Sequence, residues 1–436
     1  MTTASLSGIE SDPDSGRAEK RLAKTSWRWR LLLGLCLCVA VVGLGGGAWL
    51  IATDGVGGLG VNNQVPWGLD IVHFVFWIGI GHAGTLISAV LLLARQQWRH
   101  PIARGAELMT LCAVVCAVIY PLVHVGRIAL AWLVNPFPDP TDVWLDPASP
   151  LTWDVLAVTT YFTLSVLYCY VGAIPDFAQM RDAGASTWKS KLSAILAMGW
   201  RGTVAQWVAH HRLCFLLALI LTPLVVSVHS VVSLDFAVTQ HHGWHETIFP
   251  PYFVAGAVLS GMAMVQILLC VVQKVLRPVG VESLSTSIID KTSRFVLAFS
   301  WIMFFMYLWE AMGNIGAGSE AWTLFAERFS SPSGVIMIVG NILLPQLYWL
   351  KPLRCSFLAN ILVALGVLVG MWAERWVIVV HSLNHALLGS DGPSYVPTVV
   401  DISMGVGSLA LFMALFMMVT ALVPFFPSES HGKEVA

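Results

Sequence analysis

The sequence predicts an all-α polytopic membrane protein of ten transmembrane helices, and three observations predict it. Of 436 residues, 57% are hydrophobic and only 11% charged, and the mean hydropathy is +0.74. Soluble domains do not have this composition. The apolar residues fall into ten runs of about 20 residues, the length that crosses a bilayer as a helix. Lys and Arg concentrate in the tails and in alternate connections. A backbone in lipid must satisfy its own hydrogen bonds, so these runs are helices.

The first run, 31–53, follows a polar tail of mixed charge, 1–30, and reads as an uncleaved anchor rather than a signal peptide. The second, 70–94, is introduced by Val65-Pro66-Trp67-Gly68 and carries His82 between Gly81 and Gly84, small residues that admit a neighbouring helix. The third, 107–133, holds His124 and Arg127 near its end. The fourth, 152–174, opens with Ser149 as cap and Pro150 as first helical residue, so Asp154 lies just past the first turn. A long connection, 175–212, contains an amphipathic piece from Thr187 to Val208, with Trp188, Trp200 and Trp207 as interface anchors. The fifth run, 213–233, carries His229 and is followed by Asp235. The sixth, 250–274, is introduced by Phe249-Pro250-Pro251-Tyr252. The seventh, 293–312, closes on Glu310. The eighth and ninth, 334–350 and 356–380, precede and include Glu374 and Arg375. The tenth, 403–425, follows Asp401 and leads into a tail, 426–436.

Of the 24 Lys and Arg, 21 lie in the two tails or in the connections 95–105, 175–212, 274–294 and 351–355. The opposite connections, 54–69, 134–151, 234–249, 313–333 and 381–402, contain only Arg328. The positive-inside rule then puts both termini in the cytoplasm and the Arg-poor connections in the periplasm. A net charge of −1 gives no indication of nucleic-acid binding.

Ionisable groups within membrane-length segments are costly and usually mark a working site. His124 and Arg127 are i and i+3, on neighbouring faces of one helix. The short link to Asp154 makes the third and fourth runs antiparallel neighbours, so an imidazole, a guanidinium and a carboxylate are expected to converge at the periplasmic side. Blander roles exist for each: Arg127 snorkelling to the interface, Asp154 favouring the helix dipole, His124 packed and satisfied. His82, near mid-membrane, either relays protons or bonds a neighbouring helix. His241, His242 and His245 read as rim residues. The eight cysteines form no C-x-x-C or haem-attachment pattern, so no iron–sulfur cluster or c-type haem is expected in this chain. A b-type haem would need matched axial histidines; His73 and His82 are poorly spaced, and His124 with His229 is the one conceivable cross-helix pair.

The starts of the second and sixth runs are alike, and both runs end in Gln with a basic residue, as in a duplication of helices 2–5 and 6–9. Beyond this, the chain resembles the NrfD/PsrC family of quinone-interacting membrane subunits, most closely the ActC type of alternative complex III. The resemblance is carried by Trp77–Ser88, Pro121–Arg127, Ser149–Asp154 with Thr160-Tyr161-Phe162, His229–Phe236 and Gly243–Phe253, with looser matches at Glu374-Arg375 and Tyr395-Val396-Pro397-Thr398. It implies two four-helix bundles, 70–235 and 250–380, with 31–53 and 403–425 as flanking helices. It also implies a quinol site in the first bundle. His124 and Asp154 match the quinone-site histidine and aspartate, and Asp235 a further acid there. Arg127, His229 and Arg375 are carried over as quinone-binding, and His82 and Glu310 stand as proton-route residues. Where family members of this type have Pro-Trp after the arginine, this chain has Ile128-Ala129.

The expected function is therefore that of a quinol-oxidising membrane component in the bacterial inner membrane, with menaquinone or ubiquinone as substrate and no haem or iron–sulfur cluster of its own. Expected partners are a periplasmic iron–sulfur or molybdopterin-like subunit, c-type haem subunits, and a second NrfD-like membrane subunit. Alternatives are an anchor for a periplasmic molybdopterin or sulfur-compound oxidoreductase, a secondary transporter, and a b-type cytochrome.

Overall fold

The computed structural model describes residues 27–126, 150–182, 188–241, 243–244, 246–271, 286–384 and 394–422. The helices are α1 (Trp29–Asp54), α2 (Leu69–Leu93), α3 (His100–His124), α4 (Pro150–Asp182), α5 (Trp188–Leu196), α6 (Val204–Ala237), α7 (Phe249–Val271), α8 (Thr286–Ala317), α9 (Ser319–Ser330), α10 (Pro332–Trp349), α11 (Phe357–His381) and α12 (Val399–Leu422). Among the described residues, nine helices are long and apolar enough to cross a membrane. The chain is an integral, multi-pass, all-helical membrane protein.

The eighth expected span, 334–350, takes a different form. α10 meets α9 at a bend of 75°, and only together do they pass as a span. The sequence pattern over 313–333 is that of a connection. Its apolar residues are sparse, but Trp322, Phe325 and Phe329 recur at helical spacing and stack on one another, ring centroids 5.5 and 4.2 Å apart. That is enough for an amphipathic helix with one buried face. The amphipathic piece 187–208 also divides: α5 accounts for its first part and the start of α6 for its last, with 197–203 between them, and Thr203 forms a capping box with Gln206 at the start of α6. Polar turns thus extend several spans beyond their apolar runs.

α2 and α7 are the centre of the molecule. In their most apolar windows 78% and 83% of residues are buried, against 17% in α1. α2 packs on α3, α6 and α7; α7 packs on α8 and α11; α4 packs on α6, and α1 on α12. The two central helices meet at Gly261, where a Cβ would overlap the Ala83 methyl. Interiors this dense do not absorb extra volume. Gly261→Val is therefore expected to destabilise the folded protein by about 1–3 kcal/mol, read as a lower denaturation midpoint in detergent; an unchanged midpoint would show that the α2–α7 seam is loose.

Among the described residues, three helices contain a π turn: Val41–Gly45 in α1, Val339–Leu343 in α10 and Val377–His381 in α11. Such turns break the regular hydrogen-bond ladder and recur at functional positions. In α11 the Ile378 carbonyl accepts a 2.5 Å hydrogen bond from Trp244 Nε1. In α1 the turn brings Gly43 to the backbone of Gly407 in α12.

Cross-helix contacts show which helix ends share a side. Tyr395 Oη accepts from Leu69 N at 3.1 Å, Thr398 donates to Gly58 O at 2.8 Å, and Trp67 packs on Phe236 and Trp244. The starts of α2, α4, α7 and α12 therefore gather with the ends of α3, α6 and α11. At the other side Arg104 binds Asp176 at 3.1 Å, Tyr170 donates to Leu196 O at 2.9 Å, and Arg354 binds Asp290 at 2.5 Å.

Candidate functional site

The first side carries a set of buried ionisable groups, arranged in pairs. The carboxyl groups of Asp154, in the second turn of α4, and Asp235, near the end of α6, are hydrogen-bonded to each other. A hydrogen bond between two carboxyls needs a proton on one of them. Both residues are buried, and on each the Oδ1 atom has no partner among the described residues. Buried polar atoms are rarely left unmatched, so this pair has capacity for a further polar group.

His124, in the last turn of α3, does not pair with Asp154. Its Nδ1 is 2.6 Å from Oδ2 of Asp70, in the first turn of α2. Asp70 is buried, and its Oδ1 accepts from Gly68 N at 3.1 Å. The expected convergence of His124, Arg127 and Asp154 is thus replaced by two carboxyl-containing pairs; Arg127 lies outside the described residues. The ordering is physical: Asp70 and His124 lie at the facing ends of two closely packed antiparallel helices, while Asp154 faces α6.

His229 pairs with His82 rather than His124. Their Nδ1 atoms are 2.5 Å apart, and both Nε2 atoms are buried without a partner among the described residues. Tyr161 of α4 stands edge-on to His82, ring centroids 4.2 Å apart, and its hydroxyl donates to Gly81 O and Thr85 Oγ1. From there polar groups continue between α2, α3 and α4: Thr85 with Thr110 and Ser165, then, one turn on, Ser88 with Glu107 at 2.6 Å and Tyr168 at 3.2 Å. Glu107 pairs with Arg104, which pairs with Asp176.

A further cluster lies among α7, α8, α10 and α11. Arg375 is 2.8 Å from Glu374 and lies over the Phe253 ring at 4.6 Å. Glu374 accepts from Tyr307 and, at 3.1 Å, from Asn341 in the π turn of α10. Glu310 is paired with Arg328, the lone arginine of the sparse connections, which is buried and also donates to Gly243 O at 3.1 Å. His241, a rim residue by its sequence position, is buried beside Trp244; His242 and His245 lie outside the described residues. Among the described residues no three His, Cys, Asp or Glu side chains converge as metal ligands.

Sequence reasoning missed Asp70 and Glu107. Asp70 follows Pro66-Trp67-Gly68-Leu69 and looks like an ordinary acid favouring a helix N-terminus. Glu107 stands at the edge of an apolar run and looks interfacial. An acid one turn inside a Pro-introduced span was the available signal for Asp70.

A family model described as "Polysulphide reductase, NrfD" matches residues 58–386. The putative dimethyl sulfoxide reductase membrane subunit of Halobacterium salinarum is 28% identical over 223 residues, 51% of this chain and 47% of that protein. A selenate reductase subunit of Mesobacillus selenatarsenatis is 20% identical over 392 residues, 84% of this chain and 89% of that protein. The Hdr-like menaquinol oxidoreductase integral membrane subunit of Archaeoglobus fulgidus is 21% identical over 206 residues, 47% of this chain and 42% of that protein. The chain spans about half the length of the first and third of these relatives.

Proposed function

The chain belongs to the polysulphide reductase, NrfD family, and on that premise we propose that it is the quinol-binding and quinol-oxidising membrane subunit of an electron-transfer complex of alternative complex III type. The observation that carries the reading is the buried Asp154–Asp235 pair with its two unmatched oxygens. Oxidising a quinol releases two protons and two electrons. Proton acceptors must be within hydrogen-bond reach of the hydroxyls. Asp154 takes one hydroxyl proton, with Asp235 as its partner, and His124 takes the other. His229 and Arg375 are proposed as further quinone-binding residues, and so is Arg127, which lies outside the described residues. The substrate is menaquinol or ubiquinol, entering from the bilayer.

The electrons leave to a partner. That partner is a periplasmic iron–sulfur subunit of molybdopterin-enzyme type, passing electrons toward c-type haem subunits beside a second membrane subunit of this family. The topology proposed is that of the inner membrane of a bacterium, both termini cytoplasmic and the site periplasmic. Residues 70–235 and 250–380 form two four-helix bundles, with 31–53 and 403–425 as flanking helices. Proton translocation would use the His82–His229 pair and the polar groups that lead from Tyr161 to Asp176.

A second reading is favoured by the names of two relatives, belonging to a dimethyl sulfoxide reductase and a selenate reductase. In it the chain anchors a periplasmic molybdopterin or sulfur-compound oxidoreductase and exchanges electrons with quinone in either direction. The name of the Archaeoglobus fulgidus relative, a menaquinol oxidoreductase subunit, favours quinol as the reductant in either case. The test is to purify the complex from native membranes, identify the co-purifying subunits, and follow reduction of their redox centres on adding quinol. Rapid reduction that stops with a quinone-site inhibitor is expected. No reduction by any quinol would sink the first reading, and no electron exchange with quinol or quinone in either direction would sink both; c-type haem subunits in the complex favour the first, a molybdopterin subunit alone the second.

A further inference from the structure

We infer that Asp70 is a positioning residue for quinol oxidation: through its hydrogen bond to His124 Nδ1 it holds the imidazole in the tautomer whose Nε2 takes the substrate's proton. The inference rests on the quinol reading above and adds to it a residue that neither sequence pattern nor family resemblance singles out.

An ionised carboxylate only accepts hydrogen bonds. With Asp70 Oδ2 2.6 Å from His124 Nδ1, the proton of a neutral imidazole sits on Nδ1. Nε2 is then a bare acceptor, with no partner among the described residues. The exposures fit this division. The Asp70 side chain is 1% exposed and that of His124 is 29% exposed, so the carboxylate is walled in while the imidazole edge faces outward from the packed core. Both Asp70 oxygens are committed, Oδ1 to Gly68 N–H and Oδ2 to His124. The nearby acid Asp401 is engaged through Oδ2, by Tyr395 Oη at 2.9 Å and Thr398 N at 2.9 Å, while its Oδ1 has no partner among the described residues. His73, one turn along α2, stacks instead against Tyr120, ring centroids 5.2 Å apart. Orienting a histidine through its other ring nitrogen is how buried carboxylates fix base tautomers elsewhere.

Asp70→Asn tests this. The amide oxygen can keep the Gly68 hydrogen bond, which turns the NH₂ toward His124. The amide then donates to Nδ1, the imidazole proton moves to Nε2, and Nε2 can no longer accept. The experiment measures quinol-dependent reduction of the partner redox centres in the purified complex, per complex recovered. Expected is a fall in kcat of about 10²-fold or more, with quinol KM little changed, and recovery of much of the rate in Asp70→Glu. In a His124→Ala background, Asp70→Asn should cost little more, because Asp70 acts through His124. Wild-type kcat in Asp70→Asn overturns the inference. So does equal additional loss in the His124→Ala background, which would mark a structural role. If His124→Ala and Asp154→Asn both turn over normally, the quinol reading itself has failed; if they are slow and Asp70→Asn is not, only this inference has.

Discussion

Asp154→Asn is expected to slow quinol-dependent electron transfer by about 10²–10⁴-fold while the complex still assembles, the range that loss of one proton-transfer group produces. The substitution is nearly isosteric, so the packing of α4 on α6 is kept. What changes is protonation chemistry. Asp154 and Asp235 are hydrogen-bonded to one another, so the two carboxyls form one proton-binding unit. An amide at 154 preserves a hydrogen bond to Asp235 but cannot receive a proton from substrate. Asp235→Asn should be milder, because Asp154 remains and gains an amide partner. The double variant should be no worse than Asp154→Asn, since the two carboxyls act as one unit and their effects do not add. The measurement is single-turnover reduction of the partner redox centres by excess quinol. A rate within about twofold of wild type for Asp154→Asn would remove Asp154 from the reaction, and with it the observation on which the proposed function stands.

Much of the fold is legible because membrane helices announce themselves through length and apolarity. Each described span falls on an expected run; the expected cap of α4, Ser149, lies outside the described residues. What composition cannot carry is pairing. His124 meets Asp70 across 54 residues and His82 meets His229 across 147. Only the packing of α2 against α3 and α6 makes those separations short. Sequence position instead points to Asp154, across one short connection, as the acid that serves His124. Individual residues are easier to read than their partners: His124, Asp154, Asp235, His229 and His82 all stand out in the sequence, and all but His124 are buried. The polar steps from Tyr161 to Asp176 are invisible for another reason. Thr85, Ser88, Thr110 and Ser165 are ordinary helix residues until three helices align them.

The case of Arg328 shows how far a local reading can miss, and leads to the second large effect. By sequence it is only the lone basic residue in a set of sparse connections. In the structure α9 folds its aromatic face inward and carries Arg328 with it, over Phe325 and Phe329 at 5.7 and 5.6 Å and against Glu310. The side chains are 7% and 3% exposed. Removing one partner from a buried ion pair leaves a charge with nothing to offset its lost hydration, a loss of about 3–5 kcal/mol. Arg328→Ala is therefore expected to destabilise the protein by that order, seen as a lower denaturation midpoint, with α9 becoming the most protease-sensitive helix. Replacing both residues, Glu310→Met with Arg328→Met, should restore much of the loss, because two apolar side chains of similar length need no counter-charge. Glu310→Gln separates two roles for the acid. If Glu310 only anchors α9, stability falls and the turnover of the surviving complex is unchanged. If Glu310 also relays protons, as its place in the sequence suggests, turnover falls in complexes of normal stability. The pair geometry argues for the anchor: Glu310 is bound to a buried guanidinium that is itself fixed on Gly243 O, so its carboxylate is not free to swing between a proton donor and an acceptor.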